Sequence, residues 1–494
     1  MPSEKVEEGP GTEPGVEEEK DAPERALDAT APDPDDCATL AQLLRDVAIK
    51  LNQVDPGLHA ALEIMPLESR VAIADSLGPI AELTGKAFQL TPAEVLGSIA
   101  QEGRRPHMPY VVSFTDFAAG KKVHPAYALS YVDVTVEPAA RSYVESRDEP
   151  KYCAEIVKGV PSFPLTPSNM STVLSEELAL AVRREGGYPF IHRFMDWDFT
   201  KPGNMGNLTE LINRLDGQCF YVVGGTHDDQ TEVKTLLSAI HKMQDAGLFG
   251  VCVDIANGTN EIGLRSLRVI KKEFGDTLKL GGGNVATFDQ ARVLVEHGVD
   301  LIKAGIGSGS MCITPIKTGM GKPLITTILE VAAAARPHGV SVMADQAIRE
   351  PGEVVKAMVA GANAGAMMGG LYARSEEAAG EIFTEYEMED GQQVIREGHP
   401  VIRGRYRIYA GEASNHARER RGMKSDQVAE GAQDRVPVQY SVEEFHDEVT
   451  GSMQSAMTYG NIRVASSLDQ CRLVVVSPSY RGSEMVARFA NGGN

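Results

Sequence analysis

From about residue 160 the chain repeats one pattern eight times. A short apolar run of strand length is followed by a stretch with helical periodicity. The candidate strands are Ser162–Thr166, Tyr188–His192, Cys219–Gly224, Val251–Ile255, Thr277–Gly281, Asp300–Ala304, Val340–Asp345 and Ala364–Gly369. The helix after the third shows the pattern best: Val233, Leu236, Leu237, Ile240 and Met243 share a face, and Gly247 ends it. Gly298 and Gly361 end later helices in the same way. Continuous apolar strands alternating with helices require a parallel sheet covered on its outer face. Eight such units predict an α/β chain folded as a (β/α)8 TIM barrel, here over residues 126–494. The competing open doubly wound sheet would carry GxGxxG at its first strand–helix turn, and the sequence has none there.

In a barrel of this kind the chemistry lies just after the strands. Those positions hold Pro167-Ser-Asn-Met170-Ser171, Ala256-Asn257-Gly258, Gly283-Asn284, Gln346-Ala347 after Asp345, and Gly370. The loop after the sixth strand, Gly305 to Thr314, stands out: it reads GIGSGSMCIT. Its glycines and serines allow the backbone to turn tightly and present N–H groups to an anion, with a cysteine alongside. Small residues ahead of Cys312 therefore suit a phosphate cradle beside a sulfur nucleophile.

The flanks carry different information. Residues 1–37 hold thirteen acidic and three basic side chains, close to half of the net charge of −21. Rich in Pro and Gly and free of aromatics, this segment cannot bury enough apolar surface to offset its ordering entropy, and it is expected to be a disordered acidic tail. Deleting it should leave the melting temperature and any turnover unchanged; a large fall in melting temperature would show that it packs. Residues 38–125 are expected to form a helical extension: Leu40, Leu43, Leu44, Val47 and Leu51 share a face, and Thr91-Pro-Ala-Glu94 is a capping box with Pro at the first helical position. A polar excursion around 372–440 predicts a flap over the catalytic face. The acidic balance argues against nucleic acid as a partner. No apolar run is long enough to span a bilayer, and the N-terminus resembles no signal sequence, so a cytoplasmic protein is expected. The six cysteines are scattered without a CxxC pair, which points to neither a zinc site nor a disulfide framework.

The segment Gly307-Ser-Gly-Ser-Met-Cys312-Ile-Thr314 resembles the catalytic loop of the IMP dehydrogenase and GMP reductase family. So do Ala181-Val-Arg-Arg-Glu-Gly-Gly187, Ile191-His-Arg193, Gly282-Gly-Asn-Val285, Ala344-Asp345 and Met367-Met-Gly-Gly370. The resemblance runs from about Tyr131 to Ile462 and implies the same barrel, usually a homotetramer. Several features are similar to the reductase: Val253-Asp-Ile-Ala-Asn-Gly258, Lys317-Thr-Gly-Met-Gly321, and Glu430-Gly431 followed by Val436-Pro437. Dehydrogenases place an Arg-Tyr pair on a mobile flap, whereas Arg405-Tyr406 here precedes Tyr409–Ser414. They also commonly insert paired CBS modules after the second barrel strand, where Phe194 to Gln218 is far too short to hold them.

The resemblance implies reductive deamination of GMP to IMP with NADPH. Cys312 would be the nucleophile, and Glu430, relayed by Thr314, the proton donor. Ser310, Gly369, Gly370 and Ser414 would hold the phosphate and Asp345 the ribose, with Met170 and Gly411 also in the substrate site. Asp254, Asn257 and Asn284, with Gly305 and Gly307, would lie at the cofactor. A monovalent cation, K+, would sit at the backbone of Gly307, Gly309 and Cys312. The sequence departs from the family at Ser171 (usually Asp), Gln346-Ala347 (usually Gly-Gly), Glu412 and Ala413 (replacing residues that pack on the base) and Gln427 (often a cofactor-contacting Arg in reductases). Two alternatives follow: an IMP dehydrogenase, or a nucleotide-binding regulatory protein with weakened turnover.

Overall fold

The computed structural model describes residues 128–389, 392–397, 399–422, 428–477 and 480. The expected acidic tail and helical extension lie outside the described residues. Strands and helices alternate as β1 (Leu165–Pro167), α1 (Glu176–Arg184), β2 (Phe190–Ile191), α2 (Asn204–Arg214), β3 (Phe220–Val223), α3 (Gln230–Asp245), β4 (Gly250–Asp254), α4 (Glu261–Phe274), β5 (Lys279–Val285), α5 (Phe288–Glu296), β6 (Leu301–Ala304), α6 (Leu324–Ala335), β7 (Ser341–Asp345), α7 (Pro351–Ala360), β8 (Ala366–Met368) and α8 (Val442–Tyr459). The strands are parallel and hydrogen-bonded in the order β1-β8-β7-β6-β5-β4-β3-β2. The two ends of this ladder meet where Thr166 Oγ1 donates to the Tyr188 carbonyl at 3.0 Å. The result is a nearly closed (β/α)8 barrel.

The period of two along each strand sorts side chains between two cores. Phe190, Phe220, Val222, Cys252, Leu301, Met343 and Met367 form one buried cluster, and their neighbours Ile191, Tyr221, Val223, Val251, Val253, Ile302, Val342 and Ala344 join the other, with the helices. The same parity sets Asp254 with Cys252, Lys303 with Leu301 and Asp345 with Met343. A charged layer therefore sits one step above the apolar one, toward the carboxyl ends of the strands.

The first expected strand, Ser162–Thr166, is two elements. Val160–Ser162 pairs antiparallel with Ala154–Val157, and β1 begins only at Leu165. Pro164 lies between them and has no N–H to continue a ladder. Ile156 and Val157 of this hairpin join the cluster of Phe190, Phe220 and Met343, capping the interior apolar layer. β5 runs longer than expected, so Gly283 and Asn284 belong to the strand rather than to a turn after it. A Cβ on Gly283 would lie 2.7 Å from that of Lys303, so the glycine makes room for that side chain in the barrel.

The segment expected to be a flap leaves after β8 and forms an antiparallel sheet of β9 (Phe383–Tyr386), β10 (Ile402–Ala410) and β11 (Gln433–Pro437). Arg407 fastens it: the side chain is fully buried and donates to the Glu376 carbonyl at 3.0 Å and the Ala379 carbonyl at 3.4 Å. The chain then returns to the barrel through α8, whose start is fixed by a Ser441–Glu444 capping box. Among the described residues, no helix is long and apolar enough to cross a membrane.

Candidate active site

Cys312 lies in the turn between β6 and a helical turn, Thr314–Thr318. Its N–H donates to the Gly309 carbonyl at 3.0 Å, which closes the loop on itself. The flap meets the loop as an antiparallel bridge between Cys312 and Gly431. On either side of that bridge, Ile313 N–H donates to the Glu430 carbonyl and Ala432 N–H to the Met311 carbonyl, both at 2.8 Å. This seam brings three distant side chains into a row. The Cys312 thiol donates to Thr314 Oγ1 at 3.2 Å, and Thr314 Oγ1 donates to Glu430 Oε2 at 2.9 Å. A proton can move along this row from sulfur to carboxylate.

Below it lies the charged layer. Lys303 Nζ, 2% exposed, is 2.7 Å from Asp254 Oδ2 and 3.2 Å from Asp345 Oδ2, and donates to Asn169 Oδ1 at 3.1 Å. Asn169 in turn donates to Asp254 at 2.7 Å, and Asn284 Nδ2 donates to both Asp345 Oδ2 (2.7 Å) and the Gly305 carbonyl (2.8 Å). Burial works against the Lys303 ammonium, but the two carboxylates outweigh it and raise its pKa. Burial likewise opposes ionisation of Asp254, yet Lys303 holds it below the usual range. At Asp345 burial wins, helped by Asp254, and the pKa rises despite Lys303. Removing the ammonium would leave two buried carboxylates without their cation. Lys303→Met should destabilise the fold by about 3–5 kcal/mol, read as a lower denaturation midpoint. An unchanged midpoint would show that the pair is not coupled through this lysine.

A second cluster closes the other side. Ser310 is exposed in the cysteine loop. The position of a Cβ on Gly370 is 3.7 Å from Ser310 Oγ and 3.8 Å from the Tyr409 ring, and one on Gly369 would collide with the Tyr409 hydroxyl. Ser310, Gly369, Gly370 and Tyr409 thus lie against one another. Burial raises the Tyr409 pKa, and a hydrogen bond with the Ser310 side chain opposes the rise. Gly411 is buried beside Met311 and Gly431. Ser414 is also buried, and its hydroxyl caps the helix Asn415–Arg420 by accepting from Ala417 N–H at 3.2 Å. Glu412 Oε1 accepts from both the N–H and the hydroxyl of Ser171, the hydroxyl at 2.7 Å, while Arg421 Nη1 lies 3.1 Å from Oε2. A carboxylate is therefore supplied to the β1 loop from the flap. Met170, partly buried, precedes Ser171 in that loop.

The pattern of the IMP dehydrogenase / GMP reductase domain matches residues 128–483. The chain belongs to this family. It is 28% identical over 374 residues to a GMP reductase of Onchocerca volvulus, covering 73% of this chain and 94% of that protein. Against a GMP reductase of Vibrio vulnificus it is 29% identical over 349 residues, 68% of this chain and 91% of the relative. With an inosine-5'-monophosphate dehydrogenase of Mycobacterium tuberculosis it shares 35% identity over 244 residues, but the match spans only 48% of this chain and 44% of the dehydrogenase. The chain thus spans less than half the length of the dehydrogenase and more than nine-tenths of either reductase.

Most of the residues expected at the site converge at the carboxyl ends of the strands. Cys312, Thr314 and Glu430 form one row; Asp254, Asn284, Asp345 and Gly305 are linked through Lys303 and Asn284. Asn257 stands apart at the rim, exposed, its Oδ1 accepting from Thr259 Oγ1 at 2.9 Å. Gln427 lies outside the described residues. Sequence reasoning missed Lys303 and Asn169. The signal for the first was present: a lysine at an inward position of an otherwise apolar strand must find a counter-charge.

Proposed function

We propose that this protein is an NADPH-dependent GMP reductase that converts GMP to IMP and ammonia. The observation that carries the chemistry is the row Cys312–Thr314–Glu430, with separations of 3.2 and 2.9 Å. The thiol proton passes through Thr314 to Glu430, leaving a thiolate and a carboxylic acid. Sulfur adds to C2 of guanine, and the 2-amino group departs as ammonia with the transferred proton, leaving the purine joined to Cys312. Hydride at C2 then expels the thiolate and gives IMP. A nicotinamide cofactor, when bound, would supply that hydride.

The residues fit such a cofactor. Asn284 Oδ1 is buried beside Asp345 and the start of the cysteine loop, and it has no hydrogen-bond partner among the described residues. A buried acceptor of this kind calls for an N–H from a ligand, such as a carboxamide. Asp254 and Asn284 would face the nicotinamide, with Asn257 at the rim and Gly305 and Gly307 lining the approach. Asp345 would take the ribose hydroxyls; Ser310, Gly369, Gly370 and Ser414 would surround the phosphate; Met170 and Gly411 would flank the nucleotide. A monovalent cation at the backbone of Gly307, Gly309 and Cys312 belongs to the same reading, and no step above depends on it. So do a flap over the face at 372–440, a homotetramer and a cytoplasmic location.

Reduction is favoured over IMP oxidation because the reductases match along nearly their whole length. Arg405 and Tyr406 also lie within β10, where Arg405 pairs with Glu376 at 2.9 Å and Tyr406 stacks on Phe383. The deciding experiment incubates the full-length protein with GMP plus NADPH and, separately, with IMP plus NAD. IMP and ammonia are expected from the first mixture. XMP from the second at a comparable rate would place the protein with the dehydrogenases. Nucleotide binding without turnover in either would make it a regulatory binder.

A further inference from the structure

Glu412 follows β10 closely, and both of its carboxylate oxygens face protein donors. Oε1 accepts from the N–H and the hydroxyl of Ser171, and Oε2 lies 3.1 Å from Arg421 Nη1. Arg421 is itself pinned. Its Nη2 donates to the Glu412 carbonyl at 2.6 Å and its Nε to the Ala417 carbonyl at 3.1 Å, while the guanidinium lies 4.5 Å from the centre of the Phe194 ring. Next to Ser171, Thr172 Oγ1 donates to the Ala410 carbonyl at 2.7 Å and accepts the Ala410 N–H at 3.3 Å. The far end of the β1 loop is therefore fastened to residues 410–412. Its near end is fastened by Ser168, whose N–H donates to the Met368 carbonyl at 2.9 Å.

Between the two fastenings stands Asn169, 8% exposed. Its amide oxygen accepts from Lys303 Nζ at 3.1 Å and its amide nitrogen donates to Asp254 Oδ2 at 2.7 Å, so it bridges the buried ion pair. A bridge of two hydrogen bonds tolerates little displacement, and its backbone must be held as firmly as its side chain. We infer that Glu412 is a positioning residue, which fixes Ser171 and thereby sets where Asn169 stands against Lys303 and Asp254. This rests on the reading of Asp254 as a neighbour of the nicotinamide, and adds a residue that acts there through others. The two contacts of the carboxylate divide the work. The acceptor offered to Ser171 carries the effect on turnover, and the pairing with Arg421 carries stability.

Variants of the full-length protein, compared by melting temperature and by the kinetics of GMP reduction, separate these contacts. Glu412→Gln keeps an acceptor for Ser171 and should hold kcat within about threefold of wild type. Glu412→Ala removes the acceptor and should lower kcat by about tenfold or more, the scale of a slight misplacement near the reacting atoms. Arg421→Met breaks the ion pair and leaves the Ser171 contact. It should lower the melting temperature as Glu412→Ala does, yet hold kcat within about threefold. Asn169→Ala should reproduce the loss seen in Glu412→Ala, and the double variant should be no worse than the more severe single, because both act through one side chain. Should Glu412→Ala not fold, Ser171→Ala, which deletes one of the two donors, takes its place with an expected loss of about threefold or more. An unchanged kcat in Glu412→Ala overturns the inference. So do losses that multiply with Asn169→Ala, or a kcat that simply follows the melting temperature across the set. A wild type that oxidises IMP instead overturns the reductase reading alone, and the same variants are then compared in that reaction. A wild type that converts neither nucleotide overturns the proposed function, and this inference with it.

Discussion

Replacing Cys312 with alanine should lower GMP turnover by more than about 10³-fold and leave the melting temperature nearly unchanged. The two halves of this expectation have separate causes. The loop is held by backbone groups: Cys312 N–H on Gly309, Ile313 N–H on Glu430 and the Ala432 N–H on Met311. None of these needs the sulfur, and a half-buried alanine fits where cysteine was. On the proposed mechanism turnover needs it, because no other group in the row could form the bond to C2. Cys219 and Cys252 are fully buried in the barrel, and burial pushes the Cys252 thiol up to about 12, so neither can substitute. Turnover at the wild-type rate in Cys312→Ala would refute covalent catalysis here. Trapping adds a check: incubation with GMP should leave a purine mass on the peptide containing Cys312, and that mass should be absent from the variant.

Glu430→Gln is the second large effect, a loss of about 10²-fold or more in GMP reduction. The amide keeps the shape and can still accept from Thr314 Oγ1, but it cannot take up the thiol proton or hand one to the departing amine. Thr314→Val, which removes the hydroxyl at nearly constant volume, should produce a loss of similar size, since it breaks the same proton path. The double variant should be no worse than the more severe single, because groups in one relay are not additive. Affinity for GMP should change little in all three, since the proposed role of the row is at the reacting atoms rather than around the phosphate. Independent, multiplying losses would mean that Thr314 and Glu430 act on different steps.

The barrel was legible because its strands are buried on both faces. Eight apolar runs with glycine stops between helices leave few other folds, and all eight overlap the strands observed. What could not be read was where a run changes partner. Ser162 and Leu165 lie three residues apart in one apolar stretch, yet one closes a hairpin and the other opens the barrel. Only Pro164 hinted at the break. The glycines of β5 read as a turn because glycine usually makes one; here their smallness admits Lys303. Within the site, Cys312, Thr314 and Glu430 were reachable through their resemblance to a known loop. The Glu412–Ser171–Arg421 cluster was not. It joins residues 241 apart in sequence, and although Ser171 and Glu412 each stood out as a departure from the family, nothing in the sequence pairs them.

The seam between residues 311–313 and 430–432 has a consequence for affinity. Cys312 stands in a barrel loop and Glu430 just ahead of β11, and backbone hydrogen bonds join the two segments. The row is therefore complete only while this seam is closed, which makes the seam part of the site. Were the seam to open, a nucleotide touching both sides would bind with the intrinsic dissociation constant divided by the closed fraction. Substitutions in β10 or β11 that loosen the seam should then weaken nucleotide binding without removing any residue of the row.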